Sequence, residues 1–147
     1  MVSLGESGYE EAARAIMDSA DVIREGIEAI PQLKIMGNPS MSVISFSARD
    51  PSSLNVYNVS EAMSKKHWML NNLQNPASVH ICATYLHRDE VAHRFVEDLN
   101  ECVKDVIENP SNYAGGAAAV YGMKQALPDA SLVSGVALEV IDTLFMP

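Results

Sequence analysis

Apolar residues recur at steps of three and four through Tyr9, Ala13, Ile16, Ala20, Ile23, Ile27 and Ile30, and Pro31 closes the run. That spacing lays a single apolar stripe along one side of a helix. Ser7 followed by Glu10 has the spacing of a capping box, in which hydroxyl and carboxylate satisfy free amides of the first turn, so the helix is predicted to begin there. The period then changes. Leu33 to Met36 is a short apolar piece, Gly37-Asn38-Pro39 is turn-forming, and Met41 to Ala48 alternates. Ile44 and Phe46 fall on one face of that run and Val43, Ser45 and Ser47 on the other, which predicts two strands meeting at a tight turn.

Beyond the loop Asp50-Pro51-Ser52-Ser53, Val56, Val59 and Met63 return to helical spacing within Leu54 to Lys66. Ser53 or Asn55 would cap this second helix. Trp68 to Leu73 and Ser78 to Thr84 read as two short strands around Gln74-Asn75-Pro76, and Pro76, lacking an N–H, belongs outside any central ladder. Asp89 to Asn109 carries the most regular helical stripe, Val91, Phe95, Leu99, Cys102, Val103 and Val106, with Pro110 just past its end. Glycines 115 and 116 favour a flexible connection, and helical patterns follow from Ala117 to Ala126 and from Ala130 to Phe145, broken at Pro128. The order helix, strand, strand, helix, strand, strand, helix predicts an α+β fold: a small, largely antiparallel sheet with helices on one face.

The length of 147 residues fits one domain able to bury about 70% of its unfolded surface, and 48% apolar residues argue for a globular fold. A formal charge of −9 repels nucleic acid and anionic lipid headgroups. The basic residues are scattered, apart from Lys65-Lys66, and form no stripe for a phosphate backbone. Two cysteines, Cys82 and Cys102, cannot make a disulfide scaffold; each lies in an apolar pattern and is expected to behave as a small hydrophobe in a reducing compartment. No apolar run approaches the ~18 residues of a bilayer span.

Four segments carry a family likeness: Gly5-Glu6-Ser7-Gly8-Tyr9-Glu10-Glu11-Ala12, Gly37 to Ile44 with the following Arg49-Asp50, Lys65 to Thr84, and Ala119-Val120-Tyr121-Gly122-Met123-Lys124-Gln125. Over nearly its whole length the chain resembles the C-terminal portion of sphingosine-1-phosphate lyases. The resemblance implies the C-terminal small domain of a fold-type I pyridoxal-phosphate enzyme. Residues 1–30 would be the long helix joining a missing large domain, and residues 31–147 the small domain itself. It further implies a homodimer, anchored at the endoplasmic reticulum with the enzyme on the cytosolic side if eukaryotic, or cytoplasmic if bacterial. Two other readings stand beside it: a stand-alone binding or dimerisation module, and the small domain of a related amino-acid decarboxylase. The segments Leu70 to Pro76 and Tyr121-Gly122-Met123 favour the lyase over the decarboxylase.

Retro-aldol cleavage beside an amine needs an electron sink, which pyridoxal phosphate supplies once a lysine presents it as a Schiff base. By the resemblance that lysine follows a histidine in the large domain, whereas this chain has only the reverse order, Lys66-His67. Lys34, Lys65, Lys66, Lys104 and Lys124 therefore read as surface residues, and the cofactor is expected to be held by the missing large domain. His80, Cys82, His87 and His93 do not read as a metal set: His80 and Cys82 share a strand face, but His87 lies in the next loop and His93 six residues on. They are expected as sheet packing and as exposed helix-start residues respectively. No Gly-x-Ser-x-Gly or phosphate loop occurs. No residue is assigned a catalytic, cofactor-binding or metal-binding role, and the chain alone is expected to be inactive. Asn71, Asn72, Gln74 and Tyr121 are the polar residues placed for a role in the intact enzyme, while Met63 and Trp68 read as core.

Overall fold

The computed structural model describes residues 4–113. The helical patterns beyond Ala117, with Tyr121 and Lys124, lie outside them. Helix α1 runs from Gly5 to Glu28 and leads into strands β1, Leu33–Ile35, and β2, Val43–Ala48. Helix α2, Val56–Lys65, is followed by β3, Asn71–Leu73, and β4, Ser78–Cys82. A single 3-10 turn, Tyr85–His87, precedes helix α3, Glu90–Glu108, and another, Pro110–Tyr113, ends the described chain.

The four strands form one antiparallel sheet in the order β1-β2-β4-β3. Registers Leu33↔Ala48 and Ile35↔Phe46, Ile44↔Ile81 and Phe46↔Val79, and Asn72↔Val79 put these side chains on one face. The helices cover that face, and Ile23, Ile27, Leu33, Phe46, Tyr57, Val59, Met63, Val79, Phe95 and Leu99 are sealed between the layers. Burying each large apolar side chain contributes about 1.5–3 kcal/mol. The other face carries Lys34, Val43, Ser45, Ser47, Asn71, Leu73, Ser78, His80 and Cys82. This is the α+β sandwich the period changes predict.

Several local details differ from expectation. The first helix starts at Gly5, whose φ of 63° needs no Cβ, with Leu4 before it and no side-chain cap. Ser7 and Glu10 thus sit inside the helix, not at its mouth. Of the two caps offered for α2, Asn55 is the one used: its Oδ1 accepts from the Tyr57 amide at 2.9 Å. Only Asn71 to Leu73 of the Trp68–Leu73 run is strand, because Trp68 turns inward against α3. On α3, Val91 is 37% exposed and Ala92 takes its place in the buried stripe. Helix α1 packs against α3 at Gly26, where a Cβ would clash with the Val96 side chain.

Candidate functional site

The segment from Lys65 to Thr84 folds as a hairpin with a polar anchor at its base. β3 and β4 meet at a turn containing a cis Asn75–Pro76 bond and Asn75 at φ 55°. Three hydroxyls tie this hairpin to its surroundings, and a fourth, that of Ser78, bonds within its turn. Tyr57 Oη donates to the Leu73 carbonyl at 2.7 Å and Ser47 Oγ to that of Ala77 at 2.6 Å. Ser45 Oγ donates to the Val79 carbonyl at 3.2 Å and Ser78 Oγ to that of Pro76 at 3.1 Å.

Asn71, Asn72 and Gln74 are brought to this hairpin but not to one surface. Asn71 is exposed on the uncovered face, opposite His80. Asn72 points to the helix-covered face, opposite Val79, and its Oδ1 is buried without a hydrogen-bond partner among the described residues. The same holds for His80 Nδ1 and Glu61 Oε2. An unpaired buried polar atom costs about 1–3 kcal/mol, so each of these three atoms is an unmet demand at or near the hairpin. Gln74 is half-buried at the start of the turn.

At the base, Lys66 Nζ lies 2.7 Å from Asp98 Oδ1 and 2.6 Å from Glu101 Oε2. Trp68 Nε1 donates to Asp98 Oδ2 at 2.8 Å, and the indole meets Phe95 edge-on, ring centres 5.2 Å apart. His87 stacks on Trp68 with ring centres 6.2 Å apart. The His87 Nδ1 accepts from the Thr84 amide at 3.0 Å, which closes the 3-10 turn and requires an unprotonated nitrogen there. Two hydrogen-bonded carboxylates raise the Lys66 pKa well above the usual lysine range. Burial pushes the Asp98 carboxyl up, but hydrogen bonds from Lys66 and Trp68 outweigh it and leave the pKa below the ordinary value.

The sequence places Lys66 on the surface, and there the structure makes it, with 35% of its side chain exposed, the hub of an ion-pair cluster joining the end of α2 to α3. Its neighbour Lys65 stands over the Tyr113 ring at 4.1 Å. Tyr113 donates to Asp105, a bond that together with burial pushes the phenol up to about 12. The one signal for the cluster was the pairing of Asp98 with Glu101, three residues apart on the polar side of α3. Cys82 is a correction to the sequence reading, since it is exposed on the uncovered face and does not pack as a hydrophobe. Cys102 does, and burial pushes its thiol up to about 11. His80 and Cys82 share that uncovered face, with His80 half-buried; His93 is exposed on α3 and His87 is half-buried and engaged as described. No group of three His, Cys, Asp or Glu among the described residues is placed to hold a metal ion.

No protein-family model matches the chain. A solved glutamate decarboxylase from Lactobacillus brevis superposes with a TM-score of 0.64 at 17% identity, covering 73% of this chain and 26% of that one. The sphingosine-1-phosphate lyase structure from Burkholderia pseudomallei gives 0.67 at 31% identity, covering 78% and 25%. The class of protein is therefore that of the small α+β domain of fold-type I pyridoxal-phosphate enzymes. In sequence, the sphingosine-1-phosphate lyase of Oryza sativa subsp. japonica is 39% identical over 142 residues, 97% of this chain and 26% of the rice protein. The chain belongs to the sphingosine-1-phosphate lyase family, and it spans about a quarter of the length of the relatives it matches.

The described lysines do not fit covalent attachment of the cofactor. Attachment needs a neutral amine in a desolvated pocket. Lys66, the most enclosed of them, is held as an ammonium by two carboxylates, and Lys34, Lys65 and Lys104 are exposed.

Proposed function

We propose that this chain is the C-terminal small domain of a pyridoxal-phosphate lyase that splits a phosphorylated sphingoid base into a long-chain aldehyde and phosphoethanolamine. The observation that carries this reading is near-complete alignment with sphingosine-1-phosphate lyases at 34–39% identity, over only about a quarter of their length. The cofactor-anchoring lysine and the residues that hold the cofactor phosphate belong, on this reading, to a large domain outside the chain. No residue of this chain is assigned a catalytic, cofactor-binding or metal-binding role.

Residues 1–30 would join the two domains, and the unpacked first half of α1 supports that role. The small domain would pack on the large one and help exclude water from the reacting bond. His80, on the uncovered face and with Nδ1 still lacking a partner among the described residues, is the residue of the hairpin whose demand such a contact would meet. The working unit would be a homodimer, on the cytosolic face of the endoplasmic reticulum in a eukaryote or in the cytoplasm of a bacterium. Among the described residues no helix is long and apolar enough to cross a membrane.

The test is to incubate the purified chain with pyridoxal phosphate, reduce with borohydride and map modified lysines by mass spectrometry, while assaying cleavage of sphingosine 1-phosphate. We expect no stoichiometric adduct at one lysine and no turnover. A single lysine labelled fully, with release of aldehyde, would overturn the division of labour proposed here.

A further inference from the structure

A depression of about 460 Å³ lies at the free edge of β1, far along the sheet from the β3–β4 hairpin. Arg24 and Glu28 of α1 line it from the helix layer, Lys34 and Ile35 from β1, Gly37 from the following turn and Arg49 from the end of β2. Three cations face one carboxylate, within a chain whose formal charge is −9. The guanidinium of Arg49 is fixed in place: Nε donates to the Pro31 carbonyl at 3.1 Å and Nη2 to that of Leu33 at 3.0 Å. Its Nη1 makes no hydrogen bond among the described residues. Lys34 is likewise unpaired among the described residues, and Arg24 makes a partly exposed pair with Asp21 at 2.9 Å, of a kind that contributes little and is readily exchanged.

The backbone adds a donor. Met36 donates to the Ser45 carbonyl at 2.8 Å and Arg49 to that of Gln32 at 2.8 Å, so even-numbered residues of this strand pair with β2. Antiparallel ladders alternate, and Ile35 therefore turns its N–H to the edge that no strand pairs among the described residues, beside the depression. The volume falls within the range of about 300–1,000 Å³ usual for small-molecule sites, but the lining is charged where such sites are mostly apolar. Guanidinium forks, an ammonium and a backbone N–H are the donors that recognise a phosphate group.

We propose that this depression binds the phosphate group of a small soluble ligand, either inorganic phosphate or a phosphate monoester. The overall negative charge disfavours an anionic lipid surface, whereas at contact the local cations prevail, because charges beyond about 8 Å are screened at physiological ionic strength. The site is independent of the lyase reading, involves none of the hairpin residues and would persist if that reading failed.

The experiment is an amide chemical-shift titration of the isotopically labelled chain with inorganic phosphate, with sodium chloride at matched ionic strength as control. Expected are saturating shifts at Ile35, Gly37 and Asn38 that chloride does not reproduce. Lys34→Glu alters an exposed side chain and Arg24→Gln a half-buried one, and each should weaken binding, the charge reversal by about tenfold or more. Vesicles containing phosphatidic acid should not bind. Shifts that chloride reproduces, binding undiminished in both variants, or binding to the vesicles alone would each overturn the proposal.

Discussion

The two ends of α1 carry one apolar pattern and meet opposite fates. From Ser19 onward the helix is packed, with Ser19, Ala20, Ile23 and Ile27 buried and Gly26 pressed against α3. From Leu4 to Asp18 no residue is buried, and Leu4 and Tyr9 are 58% and 46% exposed. A periodic stripe states which side of a helix is apolar; it does not state that anything in the same chain covers it. Helices owe most of their stability to such cover, so the first half of α1 rests mainly on its own weak propensity.

The contrast can be tested most sharply by truncating side chains at the two ends. Ile27→Ala should destabilise the chain by about 2–5 kcal/mol in urea unfolding, because the cavity it leaves is enclosed. Gly26→Ala adds a single methyl where Val96 already stands, and should cost about 1–3 kcal/mol. If Gly26→Ala proved neutral, the tight approach of α1 to α3 would be wrong.

Acid should loosen the packed end while leaving the free end as it is. Asp98 holds α3 to Lys66 and Trp68 with a carboxyl pKa below the ordinary value. Its contribution is therefore complete above the unfolded aspartate value near 4 and disappears as pH falls through the lower folded value. Urea midpoints should fall below about pH 4 in the native chain, and Asp98→Asn should flatten that limb while lowering the plateau at neutral pH. The smallest effect belongs to Tyr9→Ala, expected within about 0.5 kcal/mol of native. A large loss there would mean that the first half of α1 is already covered within this chain.

What could be read from the residues alone was whatever depends on near neighbours. The stripes of α1 and α3, the alternation of Ile44 and Phe46 and the Asn55 cap are local patterns, and the α+β architecture follows from their order. The family likeness located the hairpin as the segment of interest. The Ser7–Glu10 pattern misled because the backbone enters the helix at Gly5, two residues earlier, so both side chains fall within turns already formed. The role of Lys66 was not legible, since its partners lie 32 and 35 residues away on another helix. Nor can alternation alone tell which face of β4 is covered, which is why Cys82 reads as a packed residue in the sequence and stands exposed in the fold. The phosphate-site candidate was equally hidden: Arg24, Lys34 and Arg49 look scattered until the sheet edge gathers them.

Trp68 is the single tryptophan of the chain. It sits where the end of α2, the 3-10 turn at His87 and helix α3 converge, with its indole nitrogen bonded to Asp98. The molecule thus carries an intrinsic fluorophore at the joint between its hairpin and its helical layer. Its emission wavelength will follow the opening of that joint alone, blind to fraying at Tyr9, so an optical melt and a far-ultraviolet melt need not coincide.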